Sequence, residues 1–146
     1  MRLKKFEYLP HTADIMFAAY GRDYAELLEN AASAMHNVML DTKKIRKAAK
    51  APRSLKIMEK ADTVENLIWY VLQDILTKVD ERERGAFEFR VSLLNEGKGG
   101  FVASGLLRYK SDVDDCFLAE VKAVTPYGME VRKSGKRYVI KVVMDV

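Results

Sequence analysis

After Gly85 the sequence consists of short apolar segments separated by turns, which is the pattern of β-strands. Residues 87–93 alternate strictly between apolar and polar side chains, and a glycine-rich turn at 95–100 leads into the apolar segment 101–109. Three further segments are suited to antiparallel pairing, at 117–125, 129–133 and 137–145. Because no helical pattern separates these segments, this half of the chain is expected to form antiparallel sheet.

The first half of the chain supplies two amphipathic helices. Asp23 and Glu26 have the spacing of a capping box for the first helix, whose apolar residues recur at helical spacing as far as Met39. Asp62 or Thr63 caps the second helix. Candidate strands lie at 6–9, 14–20 and 54–60. This order predicts an α+β fold, in which two main helices pack on one face of a large, mostly antiparallel or mixed sheet.

Length and composition narrow the class of protein. A chain of 146 residues with 49% hydrophobic content is expected to form a single domain over residues 1–146. Its formal charge of +4 favours an acidic partner without identifying one. Cys116 is the only cysteine, which excludes an intramolecular disulfide and a cysteine-based zinc site. We expect a cytoplasmic protein with no membrane contact, because no apolar run approaches the roughly 18 residues of a membrane span.

The sequence offers little for catalysis by the chain itself. No glycine loop lies between a strand and a helix, so a phosphate-binding loop is not predicted. There is no Gly-x-Ser-x-Gly motif, and Cys116 has no histidine or basic partner nearby in sequence. Asn30 and His36, at the border of the first helix's apolar stripe, are expected to be solvent-facing or core-edge polar groups.

Two carboxylates stand out because each lies at an end of a predicted strand. Asp14 precedes the apolar segment 15–21, and Asp145 ends the last strand one residue before the free carboxylate of Val146. One interpretation is that Asp14 only accepts hydrogen bonds from its turn. The other is that the two ends of the chain meet, so that Asp14, Asp145 and the carboxylate of Val146 bind Ca²⁺, Mg²⁺ or Mn²⁺, which prefer oxygen ligands. His11 is a further candidate base or ligand.

Four segments, taken in order, resemble the archease family, and the resemblance covers essentially the whole chain. They are His11-Thr12-Ala13-Asp14-Ile15, Glu29-Asn30-Ala31-Ala32, Val121-Lys122-Ala123-Val124-Thr125 and Ile140-Lys141-Val142-Val143-Met144-Asp145-Val146. The resemblance implies an accessory protein rather than an enzyme. Its partner would be the GTP-dependent RtcB-type tRNA-splicing ligase. It would promote guanylylation of the ligase's active-site histidine, support multiple turnover and broaden nucleotide use, contacting tRNA and GTP only through the ligase.

The resemblance also assigns roles to particular residues. It implies that Asp14 is the metal-binding aspartate, that Asp145 and Val146 are the C-terminal pair of the metal site, and that Lys122 faces the ligase. The chain departs from the family at 126–128, where Pro-Tyr-Gly replaces the usual Tyr-His-Gly.

Three alternatives remain open at this stage. An RNA-binding module, or a chaperone-like adaptor in tRNA processing, would use the basic segment 43–53, although this segment has no interleaved aromatic residues and is also typical of a solvated connector. A metal-dependent hydrolase would use the same carboxylates. A purely structural adaptor would use the carboxylates only to cap turns.

Overall fold

The computed structural model describes residues 3–11 and 13–146, so Met1, Arg2 and Thr12 lie outside the described residues. Within the described ranges, no helix has both the length and the apolar composition needed to cross a membrane.

Three α-helices form in the described part of the chain: α1 (Tyr24–Met39), α2 (Thr42–Lys47) and α3 (Val64–Glu81). The two long ones are the predicted helices. The carboxylate of Asp23 caps α1 by accepting a hydrogen bond from the backbone N–H of Glu26 at 2.8 Å. The hydroxyl of Thr63 caps α3 by accepting from the N–H of Asn66 at 3.1 Å.

Eight strands form in the same described ranges, in agreement with the number expected. They are β1 (Phe6–Leu9), β2 (Ile15–Gly21), β3 (Arg53–Ala61), β4 (Gly85–Gly97), β5 (Gly100–Lys110), β6 (Ala123–Thr125), β7 (Val131–Ser134) and β8 (Arg137–Asp145). Every pairing between them is antiparallel. The α+β class is therefore confirmed.

The strands are divided between two sheets rather than joined in one large sheet. The five-stranded sheet has the order β1-β2-β8-β6, with β7 also paired to β8, and the three-stranded sheet has the order β3-β5-β4. One physical reason is visible at the edge strand β4, where Glu29 of α1 accepts a hydrogen bond from the N–H of Val91 at 2.9 Å. A helix side chain thus satisfies a backbone donor that a further strand would otherwise pair with.

The helices join the two sheets. α1 packs against β2 and β4, and α3 packs against β3, β5 and β6, so each helix contacts both sheets. Their apolar faces lie in one continuous cluster of buried side chains, which includes Phe17 of β2, Leu27 of α1 and Ile57 of β3. The ends of the strands are thereby held on a rigid core.

Three local predictions need correction. The basic segment 43–53 is not a solvated connector throughout, because it contains α2 with Ile45 fully buried. The predicted strand 117–125 is reduced to β6, with Phe117 forming only an isolated bridge to Leu40. His36 is fully buried rather than at the edge of the core.

Candidate functional site

The pairing of β2 with β8 brings the two ends of the chain together. Ile15 pairs with Met144 at the last position of the register, so Asp14, just before β2, and Asp145, the last residue of β8, come directly after this pair. Directly paired Cα atoms in an antiparallel sheet, such as those of Ile15 and Met144, lie about 4.5–5.5 Å apart. We name Asp14, Asp145 and the terminal carboxylate of Val146 the acidic tip.

The backbone before the acidic tip has an unusual conformation. Ala13 has a φ of 71°, in the left-handed region that residues with a Cβ rarely adopt. Such a conformation costs on the order of 1 kcal/mol and persists only where the surrounding structure imposes it. The bend places Asp14 at the entry of β2, where it is half-buried.

The acidic tip is exposed on the β8 side. Met144 is fully buried, and because successive strand residues point to opposite faces, Asp145 turns outward and is exposed. Among residues 3–11 and 13–146, no group of three or more histidine, cysteine, aspartate or glutamate side chains is arranged to hold a metal ion. A divalent cation at the two aspartates would therefore need the carboxylate of Val146, with water or groups of a partner, to complete a shell of oxygen ligands.

An open pocket of about 520 Å³ adjoins the acidic tip. His11 and Asp14 line it together with Asn37 and Val38 from the end of α1. Tyr8 also lines it, and its hydroxyl donates a hydrogen bond to the carbonyl of Ala34 at 2.8 Å. His11, a candidate base or ligand, thus lies in the same pocket as Asp14, and its side chain is exposed.

Lys122 lies on the other side of β8 from Asp14. Its backbone N–H donates a hydrogen bond to the carbonyl of Asp145 at 2.8 Å, and its side chain is exposed. The next residue, Ala123, pairs directly with Asp145 as β6 begins. The predicted residues Asp14, Asp145, Val146 and Lys122 therefore lie at one end of the same sheet.

Two residues of α3 that sequence reasoning did not connect with the site hold β6 in place. The indole N–H of Trp69 donates to the carbonyl of Val124 at 2.7 Å, and the amide oxygen of Gln73 accepts from the N–H of Val124 at 2.8 Å. These contacts supply the hydrogen bonds that a second neighbouring strand would give to this three-residue strand. The only sequence signal was an amphipathic aromatic residue at the border of the helix's apolar face.

The turn at 126–128, where the chain departs from the family pattern, is open to solvent. Gly128 has a φ of 74°, and the side chain of Tyr127 is 88% exposed. Neither residue belongs to the strands that carry the acidic tip.

The cations of the segment 43–53 are partly committed to structure. Arg46 donates a hydrogen bond to the carbonyl of Phe87 at 2.9 Å and lies over the Phe87 ring, 5.1 Å from its centroid. Lys44 forms an ion pair with Asp115 at 2.8 Å, which holds the pKa of that carboxyl below its usual value. The segment is therefore not a free basic arm.

Comparisons with known proteins agree with the fold. The profile of the archease protein family matches residues 6–146. An archease of Methanosarcina barkeri is 37% identical, over 98% of this chain and 97% of the relative, and one of Archaeoglobus fulgidus is 32% identical, over 97% of this chain and 99% of the relative.

Two solved structures are also similar. The solution structure of a Methanobacterium thermoautotrophicum protein has a TM-score of 0.77 and 30% identity, over 99% of this chain and all of that one. The crystal structure of a Thermotoga maritima archease, described as a possible chaperone, has a TM-score of 0.57 at 18% identity, over 100% of this chain and 98% of that one, and so shows the fold alone.

Proposed function

This chain belongs to the archease family, and from that membership we propose that it is an accessory protein that activates a GTP-dependent RtcB-type tRNA-splicing ligase. Activation consists of promoting guanylylation of the ligase's active-site histidine, which supports multiple turnover and a broader choice of nucleotide. In this role, the chain contacts tRNA and GTP indirectly, through the ligase.

The observation that carries the proposal is the convergence of β2 and β8 on the acidic tip. The register joins Ile15 to Met144, so Asp14, just before β2, and Asp145, at the end of β8, lie at the same end of two neighbouring strands. A site built on strand ends is positioned more precisely than one on a long loop. Its exposure at Asp145 leaves room for groups of the ligase.

The donor set of the acidic tip fits a hard divalent cation. Asp14, Asp145 and the carboxylate of Val146 would hold Ca²⁺, Mg²⁺ or Mn²⁺ through oxygen atoms alone. A bound cation would neutralise phosphate charge during nucleotidyl transfer to a histidine. The part of this chain is to carry the carboxylates to the ligase in a fixed arrangement, while Lys122 beside them contributes a positive charge towards an acidic partner surface.

The test is a guanylylation assay with a cognate ligase, labelled GTP and Mn²⁺. Asp14→Asn and Asp145→Asn each remove one carboxylate charge at nearly constant size, and we expect each to reduce stimulation of the ligase to the level without the accessory protein. Glu130→Gln is the matched control because Glu130 is exposed and pairs only at the surface, with Arg132 at 3.0 Å. We expect Glu130→Gln to stimulate as wild type does.

Circular dichroism of the three variants separates loss of the acidic tip from loss of the fold. The proposal is wrong if Asp14→Asn and Asp145→Asn, with the helical signal of the wild type, still stimulate guanylylation fully. It is also wrong if Glu130→Gln loses as much stimulation as the tip variants.

A further inference from the structure

A second concave surface, away from the acidic tip, is lined by cations. It is a groove of about 500 Å³ over α1, between the start of β1 and the edge strand β4. We name it the α1 groove. Its six cationic side chains are those of Lys4, Lys5, Arg22, Arg46, Arg90 and Arg137, and its three carboxylates are those of Glu26, Glu29 and Glu88.

Each carboxylate of the α1 groove already has a partner. Glu26 binds Arg22 at 3.0 Å, and this hydrogen bond holds the pKa of Glu26 below its usual value. Glu88 pairs with Arg90 at 3.1 Å, whereas Glu29 accepts from a backbone N–H of β4. The anions of the groove are thus engaged within the molecule.

Three cations of the groove have no carboxylate partner within residues 3–11 and 13–146. They are Lys5, Arg46 and Arg137. They line one cavity from two sides, and because the six cations of the groove outnumber its three carboxylates, the net charge of the groove is positive.

The two guanidinium groups are held in place by uncharged contacts. Arg137 donates to the carbonyl of Lys4 at 3.0 Å and lies over the ring of Tyr20, 4.5 Å from its centroid. Arg46 is fixed across the groove in the same manner, by the carbonyl and ring of Phe87. A guanidinium has five N–H donors, so each keeps donors for a ligand and loses little entropy on binding one.

These features fit phosphate groups rather than bases. The aromatic residues that line the groove are Tyr20, whose ring is covered by Arg137, and Phe89, which is only 3% exposed. Base recognition on single strands depends on stacking on exposed rings, whereas backbone recognition needs only fixed cations. The groove therefore suits a ligand that is recognised through its phosphates.

The α1 groove and the pocket beside the acidic tip are both lined by residues of α1. The floor of the groove includes Asn30 and Ser33 of α1, and the tip pocket includes Asn37 of the same helix. Asn30 and Asn37 are about 10 Å apart at the rise of an α-helix. Arg137 and Asp145 are the first and last residues of β8, about 26 Å apart at the rise of a strand, so the groove and the acidic tip lie at opposite ends of the five-stranded sheet.

We propose that the α1 groove binds the phosphodiester backbone of single-stranded RNA through Lys5, Arg46 and Arg137. The choice of RNA among polyanions rests on the proposed function. The binding itself belongs to this chain and requires no ligase, in contrast to indirect contact with tRNA through the ligase.

The experiment measures fluorescence anisotropy of a labelled single-stranded RNA of about ten nucleotides with the isolated full chain. We expect Lys5→Gln/Arg46→Gln to weaken binding about tenfold and to lower the slope of log K against log salt by about 1.4, since each lost contact on a single strand contributes about 0.7. Lys43→Gln/Lys47→Gln is the matched control. It removes the same charge from two exposed positions outside the groove, both in the segment 43–53 that also contains Arg46.

A second variant guards against misfolding, because Arg46 also supports β4. Lys5→Glu reverses an exposed charge, and we expect it to weaken RNA binding with an unchanged thermal unfolding curve. The proposal is overturned if Lys5→Glu and the double groove variant bind RNA as wild type does, or if the Lys43/Lys47 control loses as much affinity. It is also overturned if tripolyphosphate or GTP displaces RNA at equal phosphate concentration, because the groove would then be a site for small polyphosphates.

These outcomes are independent of the guanylylation assay. Failure of RNA binding leaves the role of the acidic tip intact, and failure of the tip variants in guanylylation leaves RNA binding by the isolated chain measurable.

Discussion

At the scale of single residues, His36 is a polar side chain in an apolar environment. It is fully buried in α1, and neither of its ring nitrogens has a hydrogen-bond partner among the described residues. Burial lowers the pKa of His36 to about 4, with a smaller contribution from the nearby charge of Arg46. The folded protein therefore contains a neutral imidazole at physiological pH.

This burial predicts an acid-sensitive stability. The unfolded chain binds a proton on His36 below its ordinary pKa of 6.5, whereas the folded chain does so only below about 4. Protonation thus favours unfolding, and the free energy of unfolding should fall by about 3 kcal/mol between pH 6.5 and 4. We expect His36→Leu to remove this part of the pH dependence in denaturant titrations at both pH values. His11→Gln, at an exposed histidine, should retain it. If the free energy of unfolding of His36→Leu falls between these pH values as much as that of the wild type, His36 is not the cause of the acid sensitivity.

At the scale of elements, α2 depends on a side chain far away in sequence. The helix has six residues, too few to be stable alone. The ammonium of Lys110, on β5, donates to the carbonyls of Ile45, Arg46 and Ala48 at 2.8, 3.1 and 3.0 Å. Lys110 is only 6% exposed, so it acts as a buried cap for the C-terminus of α2.

Removing this cap should destabilise the whole fold. Lys110→Met keeps the aliphatic part of the side chain but leaves the three carbonyls without their donor, and we expect a loss of about 3 kcal/mol in the free energy of unfolding. Urea denaturation measures it. Lys56→Met, at an exposed lysine of β3, is the matched control and should change stability by less than about 0.5 kcal/mol. If Lys110→Met and Lys56→Met lose similar amounts of unfolding free energy, the three hydrogen bonds of Lys110 do not stabilise the fold.

At the scale of the whole molecule, the acidic tip joins parts of the chain that are far apart in sequence. β2, near the N-terminus, and β8, at the C-terminus, are neighbours in the centre of the five-stranded sheet. A cation site formed by Asp14, Asp145 and the terminal carboxylate would exist only in the folded state. Cation binding would therefore stabilise the fold.

Thermal unfolding tests this linkage without any partner. We expect Ca²⁺ to raise the Tm of the wild type, by the equivalent of about 2.7 kcal/mol at a concentration 100 times the dissociation constant. Asp14→Asn and Asp145→Asn should remove the shift, and Glu130→Gln should keep it. A wild-type Tm that does not respond to Ca²⁺, Mg²⁺ or Mn²⁺ would contradict metal binding by the isolated chain.

The sequence by itself determined the elements whose signal is local. Apolar spacing and capping residues predicted α1 and α3, and two-residue alternation predicted the β4–β5 hairpin, because helix and strand periods appear within a few residues. The residues proposed for the acidic tip also came from the sequence, through their positions at strand ends and through the family resemblance.

Only the tertiary structure decided how these elements meet. Three features depend on side chains that bind backbone groups of distant segments. They are the division into two sheets, the cap of α2 by Lys110 and the attachment of β6 by Trp69 and Gln73. Every residue except proline offers the same backbone donor and acceptor, so the sequence carries no sign of which one a side chain will reach. The cations of the α1 groove are likewise far apart in sequence, and only the fold brings Lys5, Arg46 and Arg137 to one cavity.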